Sequence, residues 1–401
     1  MIKRYAVAAL VGLLALLPVA AQAPAELPAV LAPYLQHPTT DGMTICLPAR
    51  SAEAVRVAWG LPGQPLTETP ATAVPVDNTP WTVWRTRLTG LKPGAKASYE
   101  VRYRLAGAEA KTPLYGFQTL RPAGATVRFA VVNDLHDREA TLAALTRQVK
   151  PDDYDFSILL GDCIADPKLA GGAPQVFRDI AAYTRLLDAS NKPMLLVRGN
   201  HETRSTFARQ LAQLFDLPLL DRSAKWGEDQ WQFTLRSGPL WLMALDTGED
   251  DDLNTPADSY KAPKLWQSVR RREADWLRGA LAAKPARDAA WRVFVSHIPV
   301  YDRGHSVTAQ TYWAPLLADA GFDLMLAGHT HAWKVTPRAD DDQPPATLVV
   351  GGGPDVAKAT IGLYTVTDGQ LTRRLLAADG TVLAEDSSLR RRRPAMCSTW
   401  R

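Results

Sequence analysis

Cysteine is scarce in this chain. Cys46, Cys163 and Cys397 are an odd, scattered set of 3 in 401 residues, which excludes the even, regular spacing of a disulfide-stapled fold. Cys163 directly follows a ligand-type aspartate and reads as a packing residue rather than a ligand. Long apolar runs are also missing. Beyond residue 21 nothing approaches the roughly 20 apolar residues that a membrane span requires, so the mature chain is expected to be soluble. An excess of one charge is lacking too. The net charge of +4 includes Lys3, Arg4, the arginines at 390–393 and Arg401, and without them the body is near neutral or slightly acidic. The pI near 8.9 therefore gives little support to a stable nucleic-acid partner. There are no repeats or long low-complexity tracts.

Residues 1–21 form a separate object. Lys3 and Arg4 make a positive n-region, residues 6–17 an apolar h-region, and Val19-Ala20-Ala21 a small-residue cleavage site, the pattern of a secretory signal peptide. Pro24 disfavours the alternative site at Ala21-Gln22-Ala23. The expected location is secreted or periplasmic. The remainder, with 46% hydrophobic and 22% charged residues, can bury a full core and is long enough to seek a domain boundary.

From residue 28 to 120 the chain reads as short strands without a helical period. Stretches at 43–47, 55–59, 81–85, 98–103 and 114–118 alternate or run apolar between turn signals such as Asp41-Gly42 and Pro93-Gly94, which predicts a small β-sandwich. Tyr99 reads either as a tyrosine-corner residue or as an ordinary core aromatic. Arg121-Pro122-Ala123-Gly124-Ala125 breaks the pattern as a linker. Beyond it strands alternate with helix-like stretches at 138–150 and 175–187, then a hairpin at 231–245 and an amphipathic helix at 264–283. That order implies α/β layers over residues 126–385. Arg270, Arg271 and Arg272 are expected on the wet side of the last helix, and residues 386–401 form a basic tail expected to be disordered.

The chemistry concentrates at five strand ends. Val131-Val132-Asn133 leads to Asp134-Leu135-His136, Leu159-Leu160-Gly161 to Asp162, and Arg198-Gly199 to Asn200-His201-Glu202. Later, Phe294-Val295-Ser296 leads to His297, and Met325-Leu326-Ala327-Gly328 to His329-Thr330-His331. Each cluster alone is a weak signal, but of only 7 histidines in the chain, 5 lie in them. Neighbouring strands would bring all five clusters to one sheet edge. Imidazoles, carboxylates and an amide suit Fe, Mn or Zn; the set is too rich in nitrogen for Mg or Ca and lacks the thiolates of a structural zinc site. Seven ligands exceed what one ion takes from protein, so two ions sharing a carboxylate are expected.

In order and spacing, Asp134-x-His136, Gly161-Asp162, Gly199-Asn200-His201-Glu202, His297 and Gly328-His329-x-His331 resemble the motifs of calcineurin-like metallophosphoesterases. The N-terminal part, with Pro33-Tyr34-Leu35-Gln36 and Leu91-Lys92-Pro93-Gly94, resembles the fibronectin type III-like sandwich that precedes the catalytic domain of purple acid phosphatases. The resemblance implies a four-layered α/β/β/α metallophosphoesterase domain after a small sandwich. It assigns Asp134, His136, Asp162 and His331 to one metal, Asn200, His297 and His329 to the second, and the bridge to Asp162. It makes His201 the general acid, facing the substrate.

Two positions depart from those families. Where purple enzymes carry a metal-bound tyrosinate, this chain has Cys163-Ile164-Ala165-Asp166, which predicts no iron–tyrosinate absorption band. Where the protein-phosphatase branch carries the carboxylate that supports its catalytic histidine stands Ala165. Asp166, one residue further on, reads either as that partner of His201 or as a surface acid. Glu202 and Asp246 read either as acceptors for ligand imidazoles or as structural residues, and Tyr301, Arg303 and His305 are candidate pocket residues. The expected reaction is hydrolysis of a small phosphate monoester by a metal-bridging hydroxide. A phosphodiesterase for nucleotides or lipid head groups and a catalytically silent metal-binding protein are the alternatives.

Overall fold

The computed structural model describes residues 26–166, 173–204, 207–217, 230–250, 263–301, 306–338 and 344–389. The expected signal peptide and residues 390–401 of the expected tail lie outside the described residues, as do Arg303 and His305. No helix among the described residues is long and apolar enough to cross a membrane.

The N-terminal part is two antiparallel sheets. One has the order Tyr34–Gln36, Met43–Ala49, Thr82–Leu88, Thr72–Pro75. The other runs Thr67–Pro70, Ala52–Gly60, Lys96–Leu105, Ala108–Lys111, with Tyr115–Gln118 also pairing on Lys96–Leu105. Alternation makes the core: Ala97, Tyr99 and Val101 turn inward from one strand and meet Val55 and Val57 from its neighbour. Strands Thr67–Pro70, Thr72–Pro75 and Ala108–Lys111, all at sheet edges, were not expected. They are four residues each and mostly exposed, too short and too poor in large apolar side chains to announce themselves.

Tyr99 is a core aromatic, one of the two readings open for it, and its hydroxyl makes a tie to the second part of the chain rather than a tyrosine-corner bond. Its hydroxyl donates to the carbonyl of Ser190, 2.6 Å away in the second part of the chain, while the Ser190 hydroxyl donates to Pro33 O at 2.6 Å. Trp81 stacks on Phe177 with centroids 4.4 Å apart. Leu31, Tyr34, Cys46 and Trp81 are continuous with the main core, so the sandwich is packed onto the second part rather than tethered to it.

The second part holds two six-stranded sheets. The first has the order Met194–Val197, Phe156–Leu160, Val127–Val132, Thr360–Val366, Gln370–Ala377, Val382–Leu389, its first three strands parallel and the rest antiparallel. The second runs Phe233–Ser237, Leu240–Ala244, Trp291–Val295, Leu324–Ala327, Thr347–Val350, Lys334–Thr336, with the middle four parallel. Their inner faces share one core. From strand Leu240–Ala244, Leu242 and Ala244 join it, while Trp241 and Met243 pack outward under helices Pro263–Ala282 and Val307–Asp319. Helices Glu139–Thr146 and Ala173–Leu186 contribute Leu142, Leu145, Phe177 and Ile180 on the other side, giving four layers, α/β/β/α.

Three local expectations are corrected. The helix expected over 138–150 is Glu139–Thr146, and Lys150 is extended (ψ 154) because Pro151 disfavours a helical residue before it. Arg270 is not on a wet face. It is fully buried and donates to the carbonyls of Thr247 and Glu249 and to the Thr308 hydroxyl; Arg271 and Arg272 are exposed. Residues 386–389, expected in the tail, continue strand Val382–Leu389, where Asp386 and Glu385 pair across to Arg373 and Arg374.

Candidate metal centre

The parallel strands Val127–Val132, Phe156–Leu160 and Met194–Val197 are neighbours in the first sheet, and Trp291–Val295 and Leu324–Ala327 are neighbours in the second. All five C-terminal ends open on the same edge, and the loops beyond them interlock. Asp134 N donates to Gly161 O (3.0 Å), His136 N to Asp162 O (2.9 Å) and Gly328 N to His297 O (2.9 Å). Asp134, His136, Asp162, His329 and His331 have φ of 49°, 47°, 51°, 74° and 55°, the left-handed region that non-glycine residues enter at a cost of about 1–2 kcal/mol. The strain is concentrated on the ligand-type side chains, as expected where surrounding bonds over-determine a site.

The donor atoms fall into two groups, each within 4.8 Å: Asp134, His136, Asp162 and His331, and Asp162, His297 and His329. Asp162 belongs to both. Asn200 joins the second group, its Oδ1 3.1 Å from Nδ1 of His329. Oδ1 of Asp134 is buried without a well-formed hydrogen bond and faces Nε2 of His331 at 3.4 Å, a carboxylate oxygen that a cation would satisfy better. Burial opposes charge on His297, yet Asp162 and Asp134 outweigh it and hold its proton up to about 10. Nδ1 of His297 faces Leu160 O at 2.9 Å, which leaves Nε2 toward Asp162 Oδ2 at 3.0 Å. His136 is driven the other way, down to about 4, chiefly by burial. The pocket thus draws positive charge to two buried carboxylates and offers neutral imidazole beside them. That donor set fits divalent or trivalent transition ions.

Glycine is required here by crowding. A Cβ on Gly161 would lie 2.3 Å from Nδ1 of His297, and one on Gly199 2.4 Å from Asp162 Oδ1. Gly199 has a φ of −99°, open to any residue, so crowding and not a special backbone angle calls for glycine there.

Residues 127–333 match the family described as "Calcineurin-like phosphoesterase". The chain belongs to that family. It is 24% identical over 258 residues to "Probable purple acid phosphatase 20" of Arabidopsis thaliana, a match that takes in 61% of this chain and 54% of that protein. The chain thus spans about half the length of that curated relative. In fold it is similar to the purple acid phosphatase PPD1 from yellow lupin (Lupinus luteus) seeds, with TM-score 0.70, 16% identity and coverage of 90% of this chain and 74% of that one. It is similar also to PhoD, with TM-score 0.62, 14% identity and coverage of 92% and 90%.

Around the calcineurin-like core, several side chains have roles that nothing in the local sequence marks. Glu202, fully buried, accepts four backbone N–H groups, those of Gly199 and Asp162 at 2.8 Å and of Cys163 and Ile164 at 2.9 Å. It therefore ties the second and third motifs together, and is neither an imidazole acceptor nor a pocket residue. Asp246 is likewise not an imidazole acceptor: it pairs with Arg198, whose Nε is 2.9 Å away, and Arg198 also covers the Trp231 ring. The carboxylate beside a ligand-type imidazole is that of Asp250, its Oδ1 in ion-pair range 3.0 Å from Nε2 of His329. Cys163 is a free buried thiol that packs. The Tyr301 hydroxyl donates to Ala314 O at 3.2 Å, and the ring packs with the outer core of the second sheet.

His201 leans over the first group, with Nε2 3.9 Å from Asp162 Oδ2 and its backbone N–H on Asp162 Oδ1 at 2.8 Å. Nδ1 of His201 is 2.9 Å from Asp166 Oδ1. A left-handed φ of 38° at Asp166 turns a carboxylate that stands one place too late in sequence back onto the histidine. Arg204 completes the corner, with Nη1 3.1 Å from Nε2 of His201 and the other edge of its guanidinium on Glu249.

Proposed function

We propose that the chain hydrolyses phosphate monoesters at a two-ion centre. Asp134, His136, Asp162 and His331 would hold one ion and Asn200, His297 and His329 the other, with Asp162 belonging to both donor groups. The observation that carries this reading is the double membership of Asp162, with the His201–Asp166 pair directly over it. The nitrogen-rich donor set supports Fe, Mn or Zn. Bound there, two ions lower the pKa of water and offset charge on a phosphoryl group in in-line displacement.

The chain's own residues do the rest. Glu202 fixes the Asp162 and Gly199 backbones, so the shared carboxylate cannot swing away. Leu160 O and Asp250 orient His297 and His329. Nδ1 of His201 is held by Asp166 and Nε2 lies 3.1 Å from Nη1 of Arg204; with that contact exchanged for an incoming phosphoryl group, a protonated Nε2 would serve the leaving-group oxygen as general acid.

Metal analysis of the purified protein, joined to hydrolysis of a chromogenic monoester and a diester with the same leaving group, tests the reading. About two ions per chain and a faster monoester reaction are expected. A faster diester reaction would make the protein a phosphodiesterase, and no turnover of either would make it a metal-binding protein without catalysis.

A further inference from the structure

We propose that Arg204 receives the phosphoryl group of the substrate, and that its clamp selects phosphate dianions over diesters. The proposal rests on the phosphoesterase reading above and adds the residue that sets its substrate class.

Arg204 closes the short helix Asn200–Thr203. Nε and Nη2 lie 2.6 Å and 2.8 Å from Oε2 and Oε1 of Glu249, a bidentate pair whose acid is fully buried. Glu249 is itself fixed from behind, since its carbonyl accepts from Nη2 of the buried Arg270 at 2.7 Å. A guanidinium is a rigid plane, so holding one edge dictates where the other points. Nη1 therefore stands 3.1 Å from Nε2 of His201, with Asp166 Oδ1 at 4.0 Å, and Nε2 in turn is 3.9 Å from Asp162 Oδ2. The Arg204 side chain is 21% exposed, enough for a ligand to reach it.

A cationic donor that contacts Nε2 of His201 beside the shared carboxylate is placed to exchange that contact for a non-bridging phosphoryl oxygen. A monoester dianion carries three such oxygens and a diester two, so the monoester has one more charged oxygen for a donor outside the ion pair. The charge-assisted bond is therefore stronger with a dianion or with product phosphate, which keeps a charged oxygen for Arg204 when the other two face the ions.

The test compares wild type, Arg204→Gln and Arg204→Lys, each metal-loaded and checked for metal content. Inorganic phosphate affinity is measured by calorimetry, and kcat/KM on a monoester and a diester sharing one leaving group. For Arg204→Gln, phosphate affinity and monoester kcat/KM are expected to fall about 10- to 100-fold, the loss of one hydrogen bond to a charged group. The diester is expected to lose no more than about 3-fold, and Arg204→Lys, which keeps the charge without the fork, to fall between. Equal losses on both esters, or unchanged phosphate affinity in both variants, overturns the proposal. Should wild type hydrolyse neither ester, the phosphoesterase reading fails while the phosphate titration still decides the role of Arg204.

Discussion

Asp166 and His201 are joined by a 2.9 Å contact from Oδ1 to Nδ1, made by a residue one position later than the spacing of the related phosphatases calls for. The carboxylate fixes which imidazole nitrogen carries the proton toward it, and hence which faces the substrate. Asp166→Asn keeps the size and removes the charge. It is expected to lower kcat on the order of 10- to 100-fold on alkyl phosphates and less on an activated aryl ester. Equal losses on both would show that Asp166 serves folding rather than proton delivery.

His201→Ala separates metal binding from proton transfer. Its imidazole sits 3.9 Å from Asp162 and belongs to neither donor group, so metal content is expected to be unchanged. Turnover of esters with poor leaving groups is expected to fall about 10²- to 10⁴-fold, the usual contribution of a general acid. Unchanged hydrolysis of such esters would remove His201 from the reaction.

Arg270 and Arg271 are adjacent in sequence and opposite in environment. Arg270→Leu leaves the buried carbonyls of Thr247 and Glu249 without their donor and is expected to destabilise by about 3 kcal/mol or more. Arg271, exposed over the Tyr312 ring at 5.3 Å, is expected to cost no more than about 1 kcal/mol as Arg271→Ala. Urea unfolding of the two variants reads the contrast, and similar small shifts would mean that both face water.

What could be read from sequence was the part encoded by short-range pattern. Apolar strand followed by ligand-type residue pointed to five strand-end clusters, because parallel neighbours bring such ends to one edge, and the resemblance to calcineurin-like enzymes narrowed them to Asp134, His136, Asp162, Asn200, His297, His329 and His331. The loop Asp246–Asp250 was illegible, although it supplies partners to Arg198, Arg204 and His329. A run of acids after a strand looks like solvated surface, and it is turned inward by cations distant in sequence, Arg198, Arg204 and the buried Arg270 hidden in an arginine triplet. The correction at Asp166 was equally invisible, since a left-handed backbone leaves no mark in a run such as Cys163-Ile164-Ala165-Asp166. A glutamate or aspartate just past the end of a strand neighbouring a ligand strand is the signal that could have drawn attention to Glu249 and Asp250.

Asp179 gives a pH dependence. Its burial, and then the charge of neighbouring Asp137, push its carboxyl up to about 9. With the native value above the unfolded one, the folded chain binds the extra proton. The stability this contributes is complete below the ordinary carboxylate range and is lost as pH climbs from there to about 9. Asp179→Asn keeps an acceptor for Gln175, now 2.7 Å from Oδ1, and cannot ionise. The melting temperature of the variant is expected to gain on wild type as pH rises from about 5 to about 8. A constant difference across that range would mean that Asp179 titrates normally.

Tyr99 and Ser190 make the junction between the sandwich and the catalytic sheets a structural commitment. The Tyr99 hydroxyl is buried, donates to Ser190 O at 2.6 Å, and sits near a second tie from Leu35 N to Ala189 O at 2.9 Å. Tyr99→Phe leaves a buried carbonyl unsatisfied and is expected to cost about 1–3 kcal/mol with KM unchanged, because the junction lies away from the strand ends that carry the ligands. The side chains of Leu31, Tyr34 and Trp81 belong to the same core as the first catalytic sheet, so the loss should appear as one shifted transition rather than as early melting of the sandwich. Following unfolding by tryptophan fluorescence and by phosphoesterase activity distinguishes the two. Coincident curves that move together in Tyr99→Phe fit a single cooperative unit, whereas a fluorescence step that precedes loss of activity would mean that the sandwich folds on its own.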